Sequence, residues 1–197
     1  MRRTGERGQS LVEFGILVPG FMLILFGLLE FGFLFSHHLT LEYATREGAR
    51  VGAALGNGSP SAPCSGTSPE PVDWQIVAAV QRVLTSPGSQ VPPGRVQEIR
   101  IYRAKNDGDQ LGNKANVWVP GLGPTVDGTR LLFRESGPTG WDACGRRRVT
   151  TRSADADSLG ISIVYDYRFV SPLGSMLRFV GPAQLTISDR TVMALNP

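Results

Sequence analysis

Two carboxylates lie in or beside a long apolar run near the amino terminus, where carboxylates are unusual. Glu13 comes one residue before the run Phe14–Phe35, and Glu30 is the only ionisable side chain within it. An ionised carboxylate in apolar surroundings is costly unless it reaches water, a donor or a cation. Glu13 can be accommodated in the first turn of a helix, where the helix dipole favours negative charge. Glu30 is predicted to need water or a specific partner.

The other reactive side chains do not form a catalytic motif. His37 and His38 are adjacent at the end of the apolar run, where an interfacial role is predicted rather than base catalysis. Asp155 and Asp157 resemble part of a calcium loop, but the required glycine and distal glutamate are missing. No GxSxG, HExxH or phosphate-binding glycine loop occurs. The sequence therefore predicts neither an enzyme nor a bound metal or cofactor.

The two cysteines, Cys64 and Cys144, lie far apart in Pro-, Gly- and Ser-rich sequence. They are not in a CxxC or Cys-His arrangement, so metal binding has no support. If this part of the chain lies outside the cytoplasm, a disulfide between them is permitted and is predicted. The alternative is two unpaired thiols in loops.

The basic residues do not predict a nucleic-acid partner. The formal net charge is +3 and the isoelectric point is about 9.2, but the basic side chains are dispersed. Their densest run, 146–148, has no neighbouring aromatic residues on which bases could stack. These three arginines are predicted to lie in a solvated loop.

The apolar run is predicted to be a transmembrane helix. Its length of about 22 residues gives a rise of roughly 33 Å, enough to cross a bilayer core. No small-residue cleavage site follows it, so it is predicted to be retained. Basic residues precede it and place the amino terminus in the cytoplasm; they are Arg2, Arg3 and Arg7. The prediction is a span over residues 9–38 and an extracytoplasmic domain over 39–197. The alternative is a buried helix of a soluble protein.

The transmembrane helix is predicted to continue beyond the membrane, so that the whole helix has about 45 residues. Small and medium apolar residues recur at spacings of three and four; they are Leu41, Ala44, Gly48, Val51 and Leu55. Glu42 and Arg46 are placed to pair on another face. The segment 56–60, Gly-Asn-Gly-Ser-Pro, ends the helix. A coiled coil is the rival interpretation, but small residues at the seam disfavour it.

The remaining sequence predicts an α+β domain with a roughly four-stranded antiparallel sheet. Val72–Thr85 has the apolar spacing of a second helix. The predicted strands alternate apolar and polar residues; they are Val96–Arg103, Asn116–Val119, Leu159–Phe169 and Leu185–Leu195. Asn106-Asp107-Gly108 is a turn between the first two. Residues 120–157 are predicted to be mostly loop, and 172–180 to hold one short helix.

Three motifs in the first 55 residues resemble a known family. The start Arg7-Gly8-Gln9-Ser10-Leu11-Val12-Glu13-Phe14 resembles the processing signal of type IV pilin-like proteins, in which cleavage after the glycine leaves glutamate at the fifth position. The triplet Glu30-Phe31-Gly32 and the block Ala44-Thr45-Arg46-Glu47-Gly48-Ala49-Arg50 are similar to motifs of the TadE-like family. The last 40 residues resemble that family more loosely.

The resemblance implies a minor pilin or pseudopilin of the tight-adherence (Flp, type IV) pilus, acting in pilus assembly or initiation. It implies that a prepilin peptidase cuts between Gly8 and Gln9 and removes the basic leader 1–8. The implied partners are other pilin and minor pilin subunits, the peptidase, the assembly platform and the lipid of a bacterial inner membrane. Glu13, followed by Phe14, would set the axial register by pairing with the free amino group of a neighbouring subunit.

Two other functions remain open on the same residues. The chain could be a pseudopilin of another type II secretion-like machine, which shares the processing chemistry. It could also be an uncleaved, membrane-anchored domain that binds a small ligand or the cell wall. Only the pilin-like functions require Gly8 and Glu13.

Overall fold

The computed structural model describes residues 6–58, 71–138, 140–148, 156–172, 174–175 and 184–195. The chain divides into two compact units. The first unit comprises residues 1–36 and 167–185, and the second comprises residues 37–166 and 186–197.

The longest element is helix α1, Glu6–Leu55, with 50 residues. Pro19 lies inside it without ending it. The helix ends where predicted, because Gly56 adopts a positive φ of 56° and its N–H bonds the Gly52 carbonyl at 2.8 Å. Glycine adopts this left-handed conformation at little energetic cost, and the conformation closes the last turn of the helix.

The second unit contains helix α2 and a five-stranded sheet. Helix α2 is Val72–Leu84. The strands are β1 Val96–Ala104, β2 Gln110–Pro120, β3 Thr125–Val126, β4 Thr129–Arg130, β5 Phe133–Glu135, β6 Ser158–Arg168 and β7 Gln184–Ala194. The sheet order is β5-β2-β1-β6-β7, and β3 and β4 form a separate two-stranded ribbon. The predicted α+β class and antiparallel sheet are confirmed.

The register of the sheet brings the apolar residues of adjacent strands together on one face. Ile99 of β1 lies opposite Trp118 of β2 and Ile163 of β6. All three side chains are buried. The second half of α1 and the helix α2 pack on this face, since Gly48 lies against Val80 of α2 and Ile161 of β6. The core of the second unit therefore lies between two helices and the sheet.

Most described residues of the segment 120–157 lie outside strands, as predicted, but the prediction missed three short strands. Three short strands lie between residues 125 and 135, and β5 adds a fifth strand to the sheet by pairing with the end of β2. Leu131 and Phe133 are buried, and Gln81 of α2 donates to the Arg130 carbonyl at 3.1 Å. Strands of two or three residues are too short to show an alternating pattern, and long-range pairing stabilises them.

In the first unit, the chain turns after β6 and packs on itself. The rings of Tyr167 and Phe169 meet edge to face, with centroids 5.9 Å apart. A Cβ atom on Gly174 would lie 2.7 Å from the Phe169 Cβ, so glycine is needed for this approach. Most of the predicted short helix 172–180 lies outside the described residues. Within this range, the described residues 174 and 175 are helical.

Candidate membrane and assembly site

The residues around the predicted cleavage position lie on the exposed amino-terminal end of α1. The Gln9 side chain donates to Glu13, with 3.0 Å between Nε2 and Oε1. Glu13 is exposed, and the Phe14 side chain is 68% exposed. No described atom lies within 4 Å of the place where a Cβ on Gly8 would be. Gly8, Glu13 and Phe14 are thus open to another molecule.

The first half of α1 carries an exposed apolar surface. Most of its large apolar side chains are between 39% and 74% exposed, whereas Val18 and Phe26 are less exposed; examples of the exposed ones are Leu11, Ile16, Leu17, Ile24 and Leu28. The most apolar stretch has a mean hydropathy of 2.2 and none of it is buried. Among the described residues, α1 is the one helix long and apolar enough to cross a membrane. By length and composition it is consistent with a single-pass anchor.

Glu30 has the partners that its sequence position requires. It is 5% exposed and accepts hydrogen bonds from the Tyr167 hydroxyl, from Val170 N at 3.0 Å and from Ser171 N at 2.8 Å. Donors to an ionised carboxylate form strong hydrogen bonds, which offset the loss of water around the charge. Of the two alternatives expected for Glu30, water or a partner, the structure shows a partner within the protein. Backbone donors about 140 residues away could not be identified from the sequence.

The two residues after Glu30 remain open. Phe31 is 66% exposed and its ring stacks on Phe35, with centroids 6.4 Å apart. No described atom approaches the Cβ position of Gly32 within 4 Å. Of the triplet 30–32, only the carboxylate is bound within the first unit.

The helix block 44–50 divides into a buried and an exposed face. Ala44, Gly48 and Ala49 are buried. A Cβ on Gly48 would lie 2.7 Å from Val80 Cγ2 and 3.0 Å from Ile161 Cδ1, so no larger residue fits without displacing its neighbours. Gly48 therefore sets how closely α1 approaches α2 and the sheet.

The charged residues of this block pair with each other on the exposed face of α1. Arg46 donates to Glu42, as its spacing predicted, and Arg50 donates to Glu47 at 2.7 Å. The hydrogen bond from Arg50 holds the pKa of Glu47 below its usual value, against the opposing effect of partial burial. Exposed pairs of this kind contribute about 0.3–0.5 kcal/mol, so they favour the helix without fixing the tertiary structure.

Thr45 makes a polar contact that the sequence analysis missed. Its side chain is fully buried, and its Oγ1 lies 2.5 Å from Asp189 Oδ2 and 2.9 Å from Thr191 Oγ1. Asp189 interrupts the apolar face of β7, and this interruption was the only sequence signal for the contact. The Thr45 hydroxyl satisfies that carboxylate where α1 meets β7.

His37 is also buried within the protein, and the interfacial role predicted for it and for His38 stays a prediction. His37 is 5% exposed, and its Nδ1 lies 3.2 Å from the Tyr165 hydroxyl. Burial raises the pKa of Tyr165, and a hydrogen bond with Arg95 partly offsets the increase. This contact joins α1 to β6 within the second unit.

The prediction of a solvated loop for Arg146–Arg148 was wrong for its first residue. The Arg146 side chain is fully buried, lies 4.6 Å from the centre of the Trp141 ring and donates to Asp73 Oδ1 at 2.6 Å. The other two arginines bind other elements. Arg147 reaches Asp157 at 3.3 Å, and Arg148 donates to the Ala54 carbonyl at the end of α1 at 3.4 Å. The run ties one loop to α2, to the residue before β6 and to the end of α1.

The described residues show no chemistry of a metal or thiol site. Within the described ranges, no three His, Cys, Asp or Glu side chains converge to hold a metal ion. No cysteine in the described part of the chain is free, and Cys144 is disulfide-bonded. Cys64 lies outside the described residues, so the pairing of Cys64 with Cys144 stays a prediction.

Comparison with known families finds a similarity in this part of the chain. The family model described as TadE-like protein matches residues 8–50. This part of the chain is similar to TadE-like proteins. The match runs from Gly8 to Arg50, so it includes the second and third motifs and all of the first except Arg7, and the resemblance is confirmed over this segment. No curated protein and no solved structure shows significant similarity to the chain. The TadE-like segment implies a protein associated with the tight-adherence pilus.

Different residues of the TadE-like segment make different contacts. Glu30 binds the turn after β6, and Gly48 packs on α2 and the sheet. Glu13 and most of the large apolar residues between Leu11 and Leu29 are exposed. The segment can therefore carry a folded domain at one end and offer an unoccupied helix surface at the other.

Proposed function

We propose that this protein is a minor pilin or pseudopilin of the tight-adherence pilus, which acts by assembly and not by catalysis. The observation that carries the proposal is the TadE-like match from Gly8 to Arg50 on a helix whose first half is exposed. In this proposal the amino terminus is cytoplasmic, α1 anchors the chain in the inner membrane, and the second unit is extracytoplasmic.

Two features of α1, the Glu13 carboxylate and a series of open glycines, support assembly, because an anchor alone does not require them. A carboxylate at Glu13 has no use in lipid, whereas in a helical bundle it can pair with the amino group of a neighbouring subunit. The glycines of α1 with open surroundings allow close helix–helix approach; they are Gly15, Gly20, Gly27 and Gly32. The proposed partners are other pilin subunits and the assembly platform.

Processing by a prepilin peptidase is the second part of the proposal. The bond between Gly8 and Gln9 lies near the start of α1, where nothing packs on Gly8. Glycine in a helix costs about 1 kcal/mol relative to alanine, so the backbone can unwind into a protease site at Gly8 more easily than at a position with a side chain. Cleavage would place Glu13 at the fifth position of the mature chain.

Intact mass of the protein from a host that carries the peptidase tests this proposal. The mature chain is expected to begin at Gln9. Gly8→Leu is expected to keep the leader, because a site built around glycine has no room for a branched side chain. Gly15→Leu, further along the same helix, is the matched control and is expected to be processed. Normal processing of Gly8→Leu would contradict cleavage by a prepilin peptidase after Gly8, and a wild-type chain that keeps residues 1–8 would favour the alternative of an uncleaved, anchored binding domain.

A further inference from the structure

The turn that follows β6 is held at a fixed position along α1. Residues 169–172, here named the Val170 turn, direct two consecutive backbone N–H groups at the Glu30 carboxylate, with N–O distances of 3.0 Å from Val170 and 2.8 Å from Ser171. The Tyr167 hydroxyl binds the same carboxylate. The turn therefore lies at the level of Glu30 on the helix.

If the apolar core of the bilayer begins at Glu13, its thickness exceeds the distance along the helix from Glu13 to Glu30. The helical rise from Glu13 to Glu30 is roughly 25 Å, whereas the apolar core of a bilayer is about 30 Å thick. If Glu13 lies at the cytoplasmic edge, Glu30 cannot lie beyond the opposite edge of an untilted span. Because the Val170 turn is bound to Glu30, it must reach the outer boundary of the membrane.

The apolar side chains at this level are exposed on both the helix and the turn. Val170 is 63% exposed although its N–H is bound to Glu30, and Phe31 and Phe35 are 66% and 53% exposed. Single exposed apolar residues are ordinary on a protein surface. Phe31 and Phe35 belong to the outer end of the apolar run, and Val170 is held at the same level. The same apolar part of the bilayer can therefore cover all three side chains.

The polar groups of the turn are also suited to this position. A backbone N–H without a partner is costly where water is scarce, but Glu30 satisfies those of Val170 and Ser171. Arg168, immediately before the turn, is exposed and can meet the phosphate groups of lipid.

We propose that the Val170 turn is a second membrane contact, which inserts beside α1 into the headgroup region of the outer leaflet and binds phospholipid. Glu30 acts there as a positioning residue that holds the turn at the lipid boundary. The inference rests on the membrane anchoring proposed above and not on the role in the pilus.

Photocrosslinking of the full chain in vesicles of phosphatidylethanolamine and phosphatidylglycerol tests the proposal. A benzophenone amino acid is placed at Val170, at Leu23 in the middle of the apolar run, or at Leu122. Leu122 is an apolar loop residue of the second unit that is 71% exposed, against 63% for Val170. Lipid adducts, read by mass, are expected at Val170 and Leu23 and not at Leu122.

The three positions separate the failure of this inference from the failure of anchoring. Lipid adducts at Leu23 with none at Val170 would overturn the inference and leave the anchor intact. Absence of adducts at both would overturn both. Crosslinking of Val170 to protein instead of lipid would show that the turn is a protein-binding surface and would also overturn the inference.

A second variant tests the role of Glu30. Combined with the probe at Val170, Glu30→Ala is expected to abolish or strongly reduce the lipid adduct at Val170, because the turn loses its attachment. The adduct at Leu23 should not change. Glu98→Ala, which removes a half-buried carboxylate of the second unit, is the control. Undiminished labelling in Glu30→Ala would show that Glu30 does not position the turn.

Discussion

Arg146 and Asp73 form a buried ion pair, with 2.6 Å between Nη2 and Oδ1, that joins the loop before β6 to the first turn of α2. The arginine side chain is fully buried and that of Asp73 is 13% exposed. Asn116 of β2 binds the same carboxylate at 2.5 Å and exchanges hydrogen bonds with the Trp141 backbone. One carboxylate thus organises a helix, a strand and a loop.

Removal of Arg146 is expected to destabilise the second unit strongly. Arg146→Ala leaves the Asp73 charge without its cation and empties the space over Trp141, at a cost of about 3–5 kcal/mol in the free energy of unfolding. Thermal or denaturant unfolding in detergent measures this. Arg46→Ala, which breaks an exposed pair on α1, is the control and should change the free energy by less than about 1 kcal/mol. Equal effects of the two variants would contradict this account of the cluster.

Substitution at Gly48 is expected to separate α1 from the sheet. In Gly48→Leu the new side chain meets Val80 and Ile161, whose nearest atoms lie 2.7 Å and 3.0 Å from the added Cβ. Overpacking of this kind costs about 1–3 kcal/mol or more in the free energy of unfolding. Gly27→Leu, on the same helix with no described atom within 4 Å, should fold normally. The midpoint of chemical unfolding distinguishes them, and a stable Gly48→Leu would refute the packing argument.

Alkaline pH is expected to destabilise the protein partly through Tyr165. Burial raises the pKa of this hydroxyl in the folded state. The protonated form is therefore favoured by folding, so its contribution to stability is complete below the unfolded pKa of about 10 and is lost as pH rises further. Tyr165→Phe should show a shallower fall in the free energy of unfolding above that pH. An identical pH dependence in the two proteins would contradict the prediction.

Cys64 and Cys144 are expected to form a disulfide in protein exported by its host. Such a bridge stabilises a fold by about 2–4 kcal/mol, chiefly by restricting the unfolded chain. Peptide mapping without reduction should recover the two cysteine peptides linked. Two free thiols in exported material would count against the bridge and against an extracytoplasmic position of this region.

Glu13→Ala separates a pilus subunit from a simple anchor. If Glu13 pairs with the amino terminus of a neighbouring subunit in an apolar bundle, its loss leaves that charge unpaired at a cost of about 3–5 kcal/mol. That corresponds to about a thousandfold in an association constant. The variant should be inserted and cleaved but lose crosslinking to pilin partners and piliation. Normal pili with intact crosslinks would leave Glu13 as an interfacial residue of an anchor.

The sequence by itself determined the elements whose residues interact locally. The apolar run and Gly56 bounded α1, the spacing of apolar residues predicted α2, and strict alternation predicted β6. The TadE-like motifs were also legible, because they are contiguous in the chain. Periodicity records which face of an element is buried, and it needs no knowledge of what covers that face.

Only the tertiary structure decided which polar residues are buried and with what partners. Arg146 belongs to a run that reads as solvated, but Asp73 and Trp141 enclose it. Glu30 needed a partner, and its donors include the backbone N–H groups of Val170 and Ser171. Every residue except proline carries such a donor, so no side-chain pattern marks the ones that will be used. Burial of a polar group depends on segments that are far apart in the chain and meet only in the folded protein. The sequence therefore contains no periodic pattern that predicts it.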